Sequence, residues 1–322
     1  MDDVKESANK PVDMSSQGVL EVPNSIDVNT DHLDISGNKL KVLGENLARL
    51  TNLTGLEAYT NELGSDFKTK ATALTPMVQL TKLKAVNLYN NKLAKLTSEL
   101  GGLADMEEFN ISGNKLMQVQ DGAFAQWSKL KVLNLYSNNL VMIGSEVFTP
   151  LVSIEEVRLY ENKLEKMPDL KADSYPSLTI FEIHKNNIKE IADDYFTKTP
   201  ALERLNLYGQ AAKLTNLPSS ITSCASLKGL QAQENGLEKI PAGPWPETLE
   251  TLFLQDNPLV KEVPASLAKC PKLLRVNIGG LQCKDDAEMK KLEAAMQKIV
   301  MSQTDDSGRP NGIIWGLSGQ KL

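Results

Sequence analysis

The chain has 322 residues, of which 35 are basic and 41 acidic, giving a formal net charge of −6 with moderate apolar content. That balance argues against a nucleic-acid partner, which ordinarily meets a basic face, and no run of eighteen apolar residues could span a bilayer. Only three cysteines occur, Cys224, Cys270 and Cys283, an odd and sparse set that does not make a disulfide framework.

In chain order, residues 1–17 are polar and charged and are expected to form a mobile N-terminal tail. Residues 18–283 then repeat one short pattern, Leu-x-x-Leu-x-Leu-x-x-Asn-x-Leu. Clear copies run Leu83–Val86–Leu88–Asn91–Leu93, Leu130–Leu133–Leu135–Asn138–Leu140 and Leu249–Leu252–Leu254–Asn257–Leu259. Asn114, Asn138, Asn162 and Asn186 are each 24 positions apart. Within a copy, x-Leu-x-Leu-x alternates as a short strand does, so Leu133 and Leu135 should face a core while Asn134 and Tyr136 face away. No single copy can bury its leucines alone, so neighbours must stack. The Asn amide can then satisfy main-chain groups of adjacent turns. About eleven copies are present, from Leu33–Ile35–Asn38–Leu40 to Leu273–Val276–Ile278, where Leu281 stands at the Asn position. Another copy has Gln210 there. Between Asn61 and Asn91 the spacing grows to 30, which places an insertion at Gly64–Thr72, read as a surface loop. Residues 284–322 are read as a C-terminal cap. It comprises a helix over about 285–301, with Met289, Leu292, Met296 and Ile299 on one face, then a turn and a short strand over about 312–316.

This pattern resembles the leucine-rich repeat family over about four-fifths of the chain. The resemblance implies an α/β fold, a leucine-rich-repeat solenoid (horseshoe) with a parallel concave β-sheet and a mixed helical and irregular convex side. At about 4.8 Å per strand, ten gaps would span about 48 Å, enough for an interface of roughly 800 Å² per partner. Return segments such as Leu93–Leu103 and Leu217–Ile221 resemble intracellular Ras-group proteins with 23- and 24-residue repeats. Those carrying Phe124, Phe148 and Phe196 resemble the receptor-like class. Residues 18–38 resemble the first repeat of extracellular receptors, without the usual cysteine cluster.

Chemistry finds little purchase. His32 and His184 have no metal-ligand spacing, and no phosphate loop, GxSxG elbow or HExxH is present, so no catalytic residue, cofactor or metal is expected. Cys224 and Cys270 occupy equivalent positions in their repeats and read as small packing residues. The outward face is more informative. The residue after the second strand apolar position reads Ser36, Tyr59, Tyr89, Ser112, Tyr136, Tyr160, His184, Tyr208, Gln233, Gln255, Gly279. Five of the seven tyrosines therefore share one position. Tyrosine is a frequent interface anchor, although repeat duplication with cross-strand stacking would leave the same pattern. The expected partner site is Tyr89, Tyr136, Arg158, Tyr160, Glu182, His184 and Tyr208.

The reading is a non-catalytic, monomeric scaffold or adaptor that holds a protein partner on its concave face. Because Met1–Glu6 lacks the pattern of a signal peptide, a cytoplasmic location is expected. The alternative is a secreted or surface ligand-recognition receptor, which occupied sequons at Asn52 and Asn110 would favour. A third possibility is an enzyme using one of the cysteines as a nucleophile.

Overall fold

The computed structural model describes residues 10–66, 73–96, 98–281, 287–302 and 313–315. The chain divides into two compact units, Met1–Ile154 and Glu155–Leu322.

The first unit carries the strands β1 (Pro11–Asp13), β2 (His32–Asp34), β3 (Gly55–Glu57), β4 (Ala85–Asn87), β5 (Glu108–Asn110), β6 (Gln118–Val119), β7 (Val132–Asn134) and β8 (Met142–Ile143). The strands β1, β2, β3, β4, β5 and β7 pair in that order, all parallel and in strict register, so that Leu33, Leu56, Val86, Phe109 and Leu133 lie side by side. All five are buried, and each such side chain withdrawn from water contributes about 1.5–3 kcal/mol. The chain returns behind the sheet through a one-turn helix α1 (Glu45–Ala48) and the 3₁₀ turns Thr75–Gln79 and Ser98–Gly102. Farther along this return side β6 and β8 form a separate parallel pair. Behind Phe109, the rings of Phe124 and Trp127 stack at 4.6 Å, and the Trp127 indole N–H donates to the Leu100 carbonyl at 3.1 Å. A large ring thus fills the volume behind the strand without stranding its polar atom.

The second unit continues with β9 (Glu156–Arg158), β10 (Ile180–Glu182), β11 (Arg204–Asn206), β12 (Gly229–Gln231), β13 (Thr251–Phe253), β14 (Arg275–Asn277) and β15 (Ile313–Trp315), paired parallel in chain order. Its return side uses the 3₁₀ turns Tyr195–Lys198, Ser219–Ser223 and Ala265–Lys269. The helix α2 (Ala287–Met301) packs against the last of these turns and against β15. Side chains of Met289, Leu292 and Met296, together with residues 67–72 of the insertion and Cys283, lie outside the described residues.

A ladder of buried amides joins the repeats within each unit. In the first, the Asn61 side chain donates to the Ile35 carbonyl at 2.9 Å and accepts from the Leu40 N–H at 3.0 Å, and Asn91, Asn114 and Asn138 do the same for their neighbours. In the second, Asn186 donates to the Leu159 carbonyl at 3.1 Å and accepts from the Leu164 N–H at 3.0 Å. Gln210, standing where Asn is usual, reaches the same partners: its amide donates to the Ile183 carbonyl at 3.0 Å and accepts from the Ile188 N–H at 3.1 Å. The repeat with Gln210 is therefore chemically intact. Each rung pairs main-chain groups that burial would otherwise leave without a partner, a loss of about 1–3 kcal/mol per group.

The residue just before each rung turns through positive φ, which ends the strand and brings the amide inward. Where that corner is not glycine, φ runs from 50° at Ser137 to 58° at Asp256.

The N-terminal segment differs from the tail expected over 1–17. Pro11–Asp13 is the strand β1, paired with β2. The cause lies in Asn38, whose amide donates to the Met14 carbonyl at 2.9 Å and accepts from the N–H groups of Gln17 and Val19 at 3.1 and 3.0 Å. Lys10 adds an ion pair to Asp27 at 2.9 Å. The first rung of the ladder therefore recruits the segment before it, and β1 covers the edge that β2 would otherwise expose.

Candidate functional site

Every repeat strand presents its first and third residues on the open face of its sheet, and the next outward residue after the strand continues the same line. The seven expected site residues all fall on this face, divided between the units. Tyr89 and Tyr136 belong to the first. Arg158, Tyr160, Glu182, His184 and Tyr208 belong to the second.

In the first unit the Tyr89 and Tyr136 rings meet at 6.4 Å between centroids, tilted by 41°. One repeat lies between them, and its residues are small. Ser112 turns its hydroxyl back to donate to the Asn110 carboxamide oxygen at 2.6 Å. A Cβ at Gly113 would stand 3.0 Å from the Tyr89 ring, so the glycine makes room for the ring to lie down. Tyr89 remains 39% exposed.

The second unit holds the denser arrangement. The rings of Tyr160 and His184 stack at 4.5 Å with 11° between planes, and His184 and Tyr208 stack at 5.5 Å with 25°. Three rings on successive strands thus form one plate, each contact contributing about 0.5–1.5 kcal/mol beyond area burial. Lys185 closes one border, its ammonium 2.8 Å from Glu161 and 5.9 Å from the centre of the Tyr208 ring. Along the neighbouring outward row, the Arg158 guanidinium bridges Glu156 at 2.6 Å and Glu182 at 3.4 Å. The Arg158 charge is accordingly taken up in place, and the pair of glutamates leaves one carboxylate charge in excess.

Burial pushes the His184 imidazole down to about 4, and the charge of Lys185 pushes the same way. At neutral pH the ring is therefore uncharged and behaves as the middle member of an aromatic stack rather than as a cation. Its Nδ1 is buried without a hydrogen-bond partner. Two further acceptors on the same outward row, the side-chain oxygens of Gln233 and Gln255, are also buried without a donor. Sequence spacing placed these glutamines on the row but gave no sign of their unmet hydrogen bonds, which depend on packing. The two tyrosines outside the row serve the return side: Tyr175 is fully buried, and the Tyr195 hydroxyl donates to the Pro168 carbonyl at 2.7 Å.

Among the described residues no group of three or more His, Cys, Asp or Glu side chains is arranged to hold a metal ion. Cys224 and Cys270 are buried, and burial pushes both thiols up to about 11. They are protonated at neutral pH and shielded from solvent, which is the opposite of what a nucleophile needs. Among the described residues no helix is long and apolar enough to cross a membrane.

Comparison with known proteins agrees with this architecture. A leucine rich repeat family profile matches residues 105–164. Tsukushi of Mus musculus is 33% identical over 118 residues, which is 35% of this chain and 31% of that protein, so the match spans about a third of the relative's length. A leucine-rich-repeat protein of Leptospira interrogans superposes with a TM-score of 0.70 at 24% identity, covering 87% of this chain and 74% of its own. An internalin of Listeria monocytogenes does so with a TM-score of 0.72 at 19% identity, covering 91% and 78%. The fold is that of leucine-rich-repeat proteins, built on parallel strands.

Proposed function

We propose that this chain is a non-catalytic recognition module of the secreted or cell-surface kind, which binds a protein or peptide ligand on the open face of its sheet. The observation that carries the reading is the plate of Tyr160, His184 and Tyr208. It is an uncharged aromatic surface bordered by ion-paired side chains. Rings of this kind give large contact area at little rotamer cost, and the tyrosine hydroxyls add hydrogen-bonding capacity at its edge. The extracellular part of the reading is supported by the segment shared with Tsukushi, a secreted protein. The cytoplasmic expectation ranks second. Its support is the pair of buried, unbridged thiols Cys224 and Cys270, which are compatible with a reducing compartment.

The test is affinity capture with wild type and a folded Tyr160→Ala/Tyr208→Ala variant, from conditioned medium, cell-surface extract and cytosol in parallel. A ligand from medium or surface, held at least about tenfold more weakly by the variant, is the expected result. Equal capture by both proteins removes the plate from the site. A ligand found in cytosol alone restores the scaffold reading.

A further inference from the structure

The second unit has another feature on its open face, a hollow of about 270 Å³ floored by Gly229. Along the first outward row of this unit, Arg204, Gly229, Thr251 and Arg275 are direct register partners on adjacent strands. The other strands of that row carry Glu156, Ile180 and Ile313, so Gly229 is the one position of these seven without a side chain. A Cβ built there would meet nothing within 4 Å. The glycine is thus not demanded by a clash inside the sheet. It leaves empty space above the strand, as happens where another backbone comes close.

Two arginines flank this space, about 14 Å apart across three strand spacings. Both are exposed, and neither makes an ion pair or side-chain hydrogen bond among the described residues. Their neighbours behave differently: Arg158 bridges two glutamates, and Lys228, on the rim of the hollow, pairs with Glu203 at 2.8 Å. Guanidinium groups match carboxylates in a planar, two-point geometry. On the far wall stand Gln231 and Phe253, with Thr251 beside Gly229 in the register. The hollow therefore combines free cations with the neutral polar side chains of Gln231 and Thr251, which can take up main-chain groups of a ligand. A peptide supplies both complements, carboxylates from its side chains and N–H groups from its main chain. A nucleic-acid backbone supplies only the anionic complement, since it has no main-chain N–H groups.

We infer that the hollow above Gly229 binds an acidic segment of an extended peptide, with carboxylates on Arg204 and Arg275 and the ligand backbone crossing the glycine. This assignment rests on the reading of the open face as the ligand surface, and it specifies the chemistry of what lies there.

The test uses the full chain and a fluorescent hexaglutamate peptide, with hexaglutamine as its uncharged counterpart. Hexaglutamate should bind in a salt-dependent manner and at least about tenfold more tightly than hexaglutamine. Arg204→Ala and Arg275→Ala should each weaken it by about tenfold. Gly229→Val, which fills the space with a residue suited to a strand, should remove binding while leaving the unfolding midpoint unchanged or higher. Lys269→Ala, which deletes a cation from the return side of the same unit, should leave the affinity unchanged. Equal binding of the two peptides overturns the assignment, as does hexaglutamate binding that the arginine and glycine variants do not alter. A single-stranded oligonucleotide that binds more tightly than hexaglutamate and loses affinity in the same variants would replace the peptide with a polyanion. Hexaglutamate reports on the arginines and the capture experiment on the rings, so either reading can fail without the other.

Discussion

At the scale of single residues, His184 is the most informative side chain on the face. Its imidazole is held at about 4 against an ordinary value of 6.5, mainly because the charged form is desolvated between two tyrosine rings. A depressed histidine contributes stability that is fully present above its unfolded value and is lost as pH falls toward the folded one. The window is therefore between about 6.5 and 4. Urea midpoints measured at pH 7 and pH 4.5 should drop further for wild type than for His184→Phe, which keeps a ring in the stack and cannot titrate. Equal drops would mean that the imidazole is solvated. The tyrosine row itself could be read from the sequence, because position within a repeat fixes which side of the strand a residue takes. The neutrality of His184, the neutralised Arg158 and the hollow at Gly229 could not. Each depends on which rotamers neighbouring strands select, and a glycine in a row of large residues carries no signal until the space above it is seen.

At the scale of elements, the corner after each strand is where the chain stores strain. The positive φ that turns the ladder amide inward suits Gly and Asn, yet Thr60 adopts φ 52° despite its branched Cβ. Left-handed backbone costs a non-glycine residue about 1–2 kcal/mol, partly offset by the extra freedom that glycine has when unfolded. Thr60→Gly should therefore raise the free energy of unfolding by up to about 1 kcal/mol, read from the urea transition. An unchanged or lower value would show that the threonine is relaxed at this corner. The Thr60 N–H bond to the Tyr89 carbonyl, at 2.8 Å, survives the substitution. The repeat strands were legible because buried leucines recur at fixed intervals. The strand β1 was not, since Pro11–Asp13 has one apolar residue at its centre and takes extended form only through β2 and the Asn38 amide. The small pair of β6 and β8 escaped for a similar reason: two-residue strands carry no periodicity.

At the scale of the molecule, a chain whose contacts run mainly within a repeat and between adjacent repeats opens in pieces as well as all at once. Cys224 and Cys270 offer a probe, both buried in the second unit with thiols pushed up to about 11. In a Cys283→Ser background, neither should react with a thiol reagent under native conditions, and labelling in urea should follow the unfolding of that unit. Rapid native labelling would contradict the burial and would reopen the question of a reactive cysteine. The division of labour inside each strand has a further result. The amide ladder and the leucines hold the repeat from below, while outward residues such as Gly229, Gln231 and Thr251 hang from it without supporting it. Substitutions at such positions usually change stability by no more than about 0.5 kcal/mol. Descendants of this chain can therefore exchange their outward residues one at a time, each step still folded, and drift from one ligand to another without rebuilding the frame that displays them.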